Sequence, residues 1–528
     1  MKHLTHNKFI LPVIALIILF SASCTQSDAR QISVTILADQ ESTTITIPQG
    51  SSVREALDQV ELFPGTLDQV KPPLFTILNE DTNITLSRVR EEFIIDTAIL
   101  PFSRQTIRSE SMAEGETLLL QPGENGLEEI TIRVLSEDGI ETSRTITSRV
   151  TVTPPQTEIM MIGVEPSYMP VPLEGIVAYI ETGNAWILKN SSHEKIPLVL
   201  SGDLDNRIFE LSSDGEWLLF SRANLDSEGN DINSLWIVST KDSEQDPIDL
   251  KINNVIHFAS WSPEINMGYY RIAYSTVEPR NSAPGWQANN DLRILSISPD
   301  GRLLQTEIVL EENPGGQYGW WGTFFSWSPD ASAFSFTRAD AVGIIDPENP
   351  SYETLLETVP FEVRDDYVWT PEAEWGPESE ILYIHVHNED ILTASEQDPG
   401  TFSLLALDIN VQTGQILLEN VGVFAFPSIN TGAMNSTENW IVLLMPVDPA
   451  QLMNTHYYLT CLDADGSNYR ILFPPEGEFG LDPYPPVQSP YDQTVLFSHQ
   501  QDLWLLDPSE NSAIQLTGSG QVSGFDWK

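Results

Sequence analysis

Apolar and polar residues alternate along most of the chain in short runs, a pattern typical of half-buried β-strands. Near the start, residues 32–37 and 43–47 both alternate and are separated by a short turn. Ser52, with Glu55 three residues later, predicts a capping box that begins a short helix. A hairpin, a helix and a later strand together predict a small β-grasp module over 31–80.

The next segment, 84–164, contains longer alternating runs that are interrupted by glycines. Residues 128–134 and 145–147 read as strands, and glycines such as Gly126 and Gly139 stand where the chain must turn. Few large apolar residues are available for this length. The pattern predicts an elongated β module with a small core, followed by a proline-containing linker over 165–173.

From residue 174 onward the sequence repeats every 40 to 55 residues, which is typical of a propeller or an array. Each repeat has a Ser-Pro or Ser-Asp-Gly turn, an aromatic-rich strand, and an apolar strand that often ends in Asp. Six full copies begin near residues 211, 261, 327, 375, 440 and 488. A partial copy at 176–188 lacks its first strand, and residues 522–527 supply a strand of that kind. We therefore predict a propeller of seven blades, with six as the alternative, closed by pairing of the last strand with the first blade.

The N-terminus reads as an export signal. Basic residues precede an apolar run over 9–20, and the small residues 21–23 precede Cys24. This end resembles the bacterial lipobox, although Ser21 stands where a Leu is usual. The resemblance implies a signal peptide over 1–23, a lipid on Cys24, a tether over 24–30 and anchoring to the outer face of the cell envelope. The alternative is a plain signal peptide with a chance cysteine.

Two further resemblances concern the N-terminal modules. Residues 51–57 and 67–74 make the first module similar to the ubiquitin-like repeats of resuscitation-promoting factors. Residues 89–93, 99–102 and 121–126 make the second module resemble a G-five domain. That resemblance implies a cell-surface spacer, or adhesion to a glycan of the N-acetylglucosamine type.

The repeats from 174 to 528 are similar to the TolB-type propeller repeats. The sequence as a whole therefore predicts an all-β chain: a β-grasp module, an elongated G-five domain and a propeller.

Composition narrows the possible partners. The formal net charge is −50, and so large a negative charge repels phosphate backbones and excludes nucleic-acid binding as a function. The two cysteines, Cys24 and Cys461, form no disulfide framework if Cys24 carries a lipid. Cys461 lies in an apolar stretch, where we expect a buried thiol.

Two sets of residues are candidate metal ligands. His385 and His387 alternate on one strand, so they share a face and could bind a transition metal with Glu389 or Asp390. The alternative for this pair is an exposed strand end. Three further candidates alternate roughly as in a calcium loop, although the downstream Glu of an EF-hand is missing, and their alternative is a solvated loop: Asp226, Glu228 and Asn230.

Tryptophans in two loops are candidate ligand contacts. Trp320 and Trp321 lie in a glycine-rich loop before a blade, and Trp286 lies in another loop. Exposed tryptophans on a propeller rim suit stacking on a sugar or a protein. The alternative is that they pack beneath their loops.

The sequence carries no recognisable catalytic motif and no motif that requires a cofactor. We therefore expect an envelope-anchored binding protein rather than an enzyme, with a propeller that binds a protein or a glycan. One alternative is an envelope lyase or glycan hydrolase, which requires paired carboxylates in the propeller channel about 5 to 10 Å apart. The other is a periplasmic assembly factor similar to TolB.

Overall fold

A computed structural model describes residues 30–109, 112–164, 169–224, 231–242, 245–265, 268–362, 367–388, 401–429, 440–451, 453–510 and 512–528. The chain divides into two compact units. The first holds residues up to 102 together with 124–156, and the second holds 103–123 together with 157–528. In the described ranges no helix is long and apolar enough to cross a membrane.

The first unit begins with the predicted hairpin and capped helix. The elements are β1 (Gln31–Ala38), β2 (Glu41–Pro48), α1 (Val53–Gln59), β3 (Gln69–Lys71) and β4 (Thr82–Ser87). The strands form a mixed sheet in the order β2-β1-β4-β3, in which β1 and β4 are parallel. Ser52 caps α1 as predicted: its Oγ accepts from the Glu55 amide at 3.3 Å, and Glu55 accepts from the Ser52 amide at 2.8 Å. The similarity to ubiquitin-like repeats stays a prediction.

The segment that follows forms two three-stranded sheets. Its strands are β5 (Val89–Leu100), β6 (Arg104–Ser109), β7 (Thr117–Gln121), β8 (Gly126–Glu137), β9 (Ile140–Thr153) and β10 (Glu158–Gly163). β5, β8 and β9 form an antiparallel sheet in the first unit, and β6, β10 and β7 form a mixed sheet in the second. The sequence pattern predicted one continuous module here, whereas the packing divides it.

The sheet of β5, β8 and β9 is thin, since every residue of β9 is exposed. Gly126 at the start of β8 is required by close packing of the backbone. A Cβ at this position would lie 2.4 Å from the Thr153 carbonyl oxygen, too close for any side chain. This glycine was predicted to mark a turn, and its actual role is to let two strands approach.

The sheet of β6, β10 and β7 shares a hydrophobic core with the propeller inside the second unit. Ile107, Ile159 and Met161 belong to the same buried cluster as Val177 and Trp186. This half of the segment is therefore part of the propeller's packing.

Seven sheets of three or four strands fill 172–527 in the described residues, one for each sequence repeat. The first half of the propeller contains β11 (Pro172–Glu181), β12 (Asn184–Val199), β13 (Leu204–Leu211), β14 (Trp217–Ala223), β15 (Asn233–Ser239), β16 (Ile248–Asn253), β17 (Ala259–Trp261), β18 (Tyr270–Tyr274), β19 (Val277–Pro279), β20 (Trp286–Ala288), β21 (Leu292–Ile297), β22 (Leu303–Leu310), a 3-10 turn (Gly319–Trp321), β23 (Phe324–Trp327), β24 (Phe334–Arg338), β25 (Ala341–Ile345) and β26 (Glu353–Glu357).

The second half contains β27 (Phe361–Glu362), β28 (Val368–Trp369), β29 (Glu372–Trp375), β30 (Ile381–Asn388), β31 (Thr401–Asp408), β32 (Thr413–Glu419), β33 (Ser428–Ile429), β34 (Trp440–Pro446), β35 (Tyr457–Asp463), β36 (Arg470–Phe473), β37 (Val487–Gln488), β38 (Val495–His499), β39 (Asp502–Asp507), β40 (Ser512–Gln515) and β41 (Val522–Trp527). The sheets run β12-β11-β41, β13 to β16, β17-β18-β21-β22, β23 to β26, β29 to β32, β33 to β36 and β37 to β40. Two short hairpins, β19-β20 and β27-β28, are added to this pattern.

The tryptophans of the repeats tie the first strand of one sheet to the first strand of the sheet before it. The Trp261 indole N–H donates to the Glu210 carbonyl at 3.1 Å, and the Trp375 indole donates to the Ser326 carbonyl at 3.3 Å. These bonds hold neighbouring inner strands in a fixed register, so the residues beside the tryptophans have defined positions.

The ring closes as predicted, by antiparallel pairing of β41 with β11. Val177 lies opposite Trp527, and Tyr179 lies opposite Phe525. The first sheet therefore combines two early strands with the last strand of the propeller, and this pairing leaves no free strand edge at the joint.

Candidate functional site

The second unit contains a cavity of about 640 Å³ at the inner ends of four propeller sheets. Residues of β13, β17, β23 and β29 line its walls. Loops and the two added hairpins supply further lining residues. The volume lies within the range of about 300–1,000 Å³ that is usual for small-ligand pockets.

A row of aromatic side chains forms one side of this cavity. Trp286 on β20 and Trp321 on the 3-10 turn meet edge to face, with ring centroids 6.4 Å apart. Trp321 and Tyr367 meet in the same way at 6.4 Å. All three residues line the cavity, and we call them the aromatic row. Edge-to-face contacts fix the rings against one another, which presents a preformed apolar surface.

His257 also lines the cavity and packs against two aromatic rings. Its ring lies 4.5 Å from Trp286 and 5.0 Å from Phe324, centroid to centroid. Burial, with a smaller effect of Arg207, lowers the pKa of His257 to about 3, so the ring is neutral. Gly322 has a φ of 101°, and a Cβ there would lie 2.5 Å from the buried His257 Nε2. The loop can therefore pass the histidine only with a glycine at this position.

Two carboxylates, Glu210 on β13 and Glu374 on β29, line the same cavity. The Ser260 hydroxyl donates to Glu210 Oε1 at 3.0 Å. For Glu374 the described part of the chain provides no hydrogen-bond donor, and its side chain is exposed to the cavity. Burial among protein atoms raises the pKa of Glu210 to about 8 and that of Glu374 to about 7.

The end of the last strand places two more charges close to these carboxylates. Asp526 accepts hydrogen bonds from the Leu211 amide at 2.7 Å and from the Trp527 amide at 2.8 Å. The carboxylate of Asp526, with smaller contributions from Glu210 and Glu374, raises the pKa of the Lys528 ammonium. Strand β41 therefore contributes to the charge of the site as well as to ring closure.

Two of the three tryptophans predicted as ligand contacts lie at this cavity. Trp286 and Trp321 line it, whereas Trp320 is 39 % exposed and is not part of the lining. Their contact with a ligand stays a prediction.

The histidine pair lies inside a blade. His385 and His387 on β30 are both buried, so the expectation of an exposed strand end is wrong. His385 Nε2 lies 2.8 Å from the Gly422 carbonyl oxygen, and Nδ1 lies 3.4 Å from Glu372. Both ring nitrogens of His385 therefore face protein oxygens, and metal binding by this histidine stays a prediction.

The remaining predicted metal ligands cannot be placed. Within the described ranges no group of three or more His, Cys, Asp or Glu side chains is arranged to hold a metal ion. The following predicted site residues lie outside the described residues: Cys24, Asp226, Glu228, Asn230, Glu389 and Asp390. Cys461 is buried, as expected; burial raises the pKa of its thiol, and Arg470 Nε lies 3.0 Å from its sulfur.

Sequence reasoning missed the two cavity carboxylates, although the repeats contained a signal for them. Each missed glutamate directly precedes, in its strand, a residue that packs between two inner strands. The equivalent positions of the inner strands are Glu210, Ser260, Ser326, Glu374 and Asp526. Side chains alternate along a strand, so these positions face away from that packing, and the first four line the cavity.

Comparison with known proteins finds similarity to the G5 segment and to the propeller separately. The G5 domain family model matches residues 92–165, which confirms the G-five prediction with a later start than expected. The IgA1 protease G5 domain is 24 % identical over 15 % of this chain and 94 % of its own, with a TM-score of 0.13. No curated protein matches the sequence significantly.

Solved structures similar to the propeller share little sequence with it. TolB from Acinetobacter baumannii is 11 % identical, covers 72 % of this chain and 96 % of its own, and has a TM-score of 0.33. An oligogalacturonate lyase in complex with manganese is 10 % identical, covers 75 % and 99 %, and has a TM-score of 0.42. The chain is thus a nearly all-β protein that contains a G5 domain and a propeller-type fold.

Proposed function

We propose that this protein is an exported, lipid-anchored binding protein of the cell surface whose propeller holds a sugar in the cavity beside the aromatic row. In this proposal the G5 domain acts as a spacer or as a second contact with cell-wall glycan. The observation that carries the proposal is the combination, in one preformed cavity, of Trp286, Trp321 and Tyr367 with Glu210 and Glu374.

The chemistry of the two sides fits a sugar ring. Aromatic faces stack on the C–H surface of a pyranose, and carboxylate oxygens accept hydrogen bonds from its hydroxyl groups. Glu374 has no protein donor in the described ranges, so a ligand hydroxyl would satisfy an acceptor that is otherwise left to water.

The test is calorimetric titration of the mature protein with oligosaccharides from bacterial and plant walls. Trp321→Ala removes the middle ring of the row, and we expect Kd to rise tenfold or more, equivalent to about 1.4 kcal/mol or more. Trp320→Ala is the matched control, because this neighbouring tryptophan lies outside the lining. Equal losses for both variants, or no loss for either, would contradict the assignment of the site.

A second experiment separates the cavity from the G5 domain. If the G5 domain binds wall glycan, pulldown on purified peptidoglycan should be the same for the wild type and for Trp321→Ala. Deletion of 84–164 is unsuitable for this purpose, because Ile107, Ile159 and Met161 belong to the propeller core.

The presence of two carboxylates in one cavity favours one second candidate, cleavage of a glycan by acid–base chemistry. Glu210 and Glu374 line one cavity, and their raised pKa values, about 8 and about 7, suit a group that gives or takes a proton near neutral pH. The check is chromatography of oligosaccharides after long incubation with the wild type and with Glu374→Gln. Products with the wild type and not with the variant would establish an enzyme.

A further inference from the structure

We propose that the sugar bound in the cavity is an amino sugar with a free ammonium group, held between the aromatic row and the carboxylates of Glu210 and Glu374. This inference rests on the proposed function, because it assigns the charge of the ligand at that same site.

The balance of charge in the cavity favours a cation. Three lining residues are acidic, Glu210, Glu372 and Glu374, whereas in the described ranges the lining contains one arginine and no lysine. That arginine, Arg207, already has an acidic neighbour, since its Nε lies 3.7 Å from Asp205. A bound ammonium group would therefore stabilise the charged forms of these acids.

The ammonium group of Lys528 does not compensate all of the acidic side chains near the cavity. Its ammonium group interacts with Asp526 most strongly and with Glu210 and Glu374 less strongly. One cation therefore stands against three acidic side chains. Desolvation raises the pKa of both glutamates, and a second cation would stabilise their charged forms.

The aromatic row provides the other half of a cation site. Elsewhere in the propeller the protein's own cations cover aromatic rings: Arg222 lies 4.7 Å from the centre of Trp236, and Arg271 lies 5.3 Å from that of Trp327. Within the described ranges, none of the lysines or arginines that lie over rings does so at Trp286, Trp321 or Tyr367. No lysine or arginine of the described residues competes for these rings, so a ligand cation beside them would gain from the ring quadrupole and from the carboxylates together.

The net negative charge of the whole chain also favours a cationic ligand. With 26 basic and 76 acidic residues, the protein attracts cations and repels anions over its surface, so that uronic acids are disfavoured as ligands.

The decisive experiment compares two ligands with the same rings and different charge. Glucosamine trimer and N-acetylglucosamine trimer are titrated into the mature protein near neutral pH, with galacturonic acid trimer as the anionic probe. We expect glucosamine trimer to bind at least tenfold more tightly than N-acetylglucosamine trimer, and galacturonic acid trimer not to bind. The comparison is made on the wild type, so it does not depend on the folding of a variant.

The other outcomes are distinct. Equal affinity for the charged and the acetylated trimers would overturn the ammonium assignment and leave the sugar site standing. Preference for galacturonic acid trimer would also overturn it. Failure of all three to bind would count against both the charge assignment and the proposed function for these sugars.

A variant then locates the charge effect. Glu374→Gln keeps the size of the side chain and removes its charge, and we expect the preference for glucosamine trimer over the acetylated trimer to fall at least fivefold. Trp320→Ala should keep the full preference. An unchanged preference in Glu374→Gln, with an unchanged melting temperature, would exclude Glu374 as the partner of the ammonium group.

Discussion

The sheet of β5, β8 and β9 and the blades of the propeller are all antiparallel, but different interactions stabilise them. Every residue of β9 is exposed, and Phe93, Ile95 and Ile99 on β5 are more than half exposed as well. In the propeller, Trp186, Phe220 and Phe336 are fully buried. The first region is held chiefly by its ladder of backbone hydrogen bonds, and the second by packed side chains.

This difference decides which region can offer a preformed site. A single open layer exposes both faces to water and encloses no volume. The packed inner strands of the propeller fix Glu210 and Glu374 in one cavity, where burial alters their pKa values. The open sheet is suited to extended contact or to spacing, and the propeller to a small ligand.

The largest expected effect that tests this comparison comes from Trp186→Ala. Trp186 is fully buried in the core that joins the first sheet of the propeller to its neighbours. We expect it to destabilise the propeller by about 3–5 kcal/mol, seen as a lower melting temperature in calorimetry. The matched control is Ile146→Ala on β9, where the side chain is 47 % exposed and the expected change is within about 0.5 kcal/mol. Similar losses at both positions would break the comparison.

A smaller expected effect tests where the boundary between the open sheet and the propeller lies. Ile159 lies on β10, is 1 % exposed and belongs to the propeller core, although the G5 match includes it. Ile159→Ala should therefore lower the melting temperature of the propeller and reduce its free energy of unfolding by about 2–4 kcal/mol. Val150→Ala on the exposed face of β9 is the control. If Ile159→Ala left the propeller transition unchanged, the division of the G5 segment would be wrong.

A further expected effect is a dependence of stability on pH. Burial raises the pKa of Glu210 from 4.5 to about 8, with Asp526 raising it further and Lys528 opposing. An acid whose pKa is higher in the folded state stabilises the fold at low pH, and this contribution is lost as pH rises from about 4.5 through about 8. We expect the melting temperature to fall over that window, and to fall less in Glu210→Gln. A parallel dependence in the variant would show that Glu210 is not the group responsible.

The propeller could be predicted from the sequence, because each blade repeats one turn and one alternation of apolar residues. The same local signals identified the capping box at Ser52 and the pairing of β41 with β11. Trp286 and Trp321 could be selected as unusual loop residues, although their common cavity depends on contacts between sheets.

The parts that could not be predicted depend on which residues meet in space. Glu210 and Glu374 are far apart in the chain, and only the ring brings them to one cavity. The division of the G5 segment was hidden for a related reason: β6 and β10 alternate like the other strands, and their apolar side chains found partners on the propeller. The error over His385 and His387 arose because alternation shows that two side chains share a face without showing what covers it.

Ring closure has a consequence for the order in which the site can form. The Trp527 indole donates to the Glu174 carbonyl across 353 residues of sequence, so this contact forms only after a large loss of chain entropy. Asp526 and Lys528, which interact electrostatically with the cavity glutamates, are positioned by that same strand. The six other sheets can fold from neighbouring segments, whereas the charges around these glutamates are complete only in a closed ring. If the cavity binds a sugar as proposed, its affinity reports correct assembly, because an intermediate in which β41 is still unpaired lacks these charges.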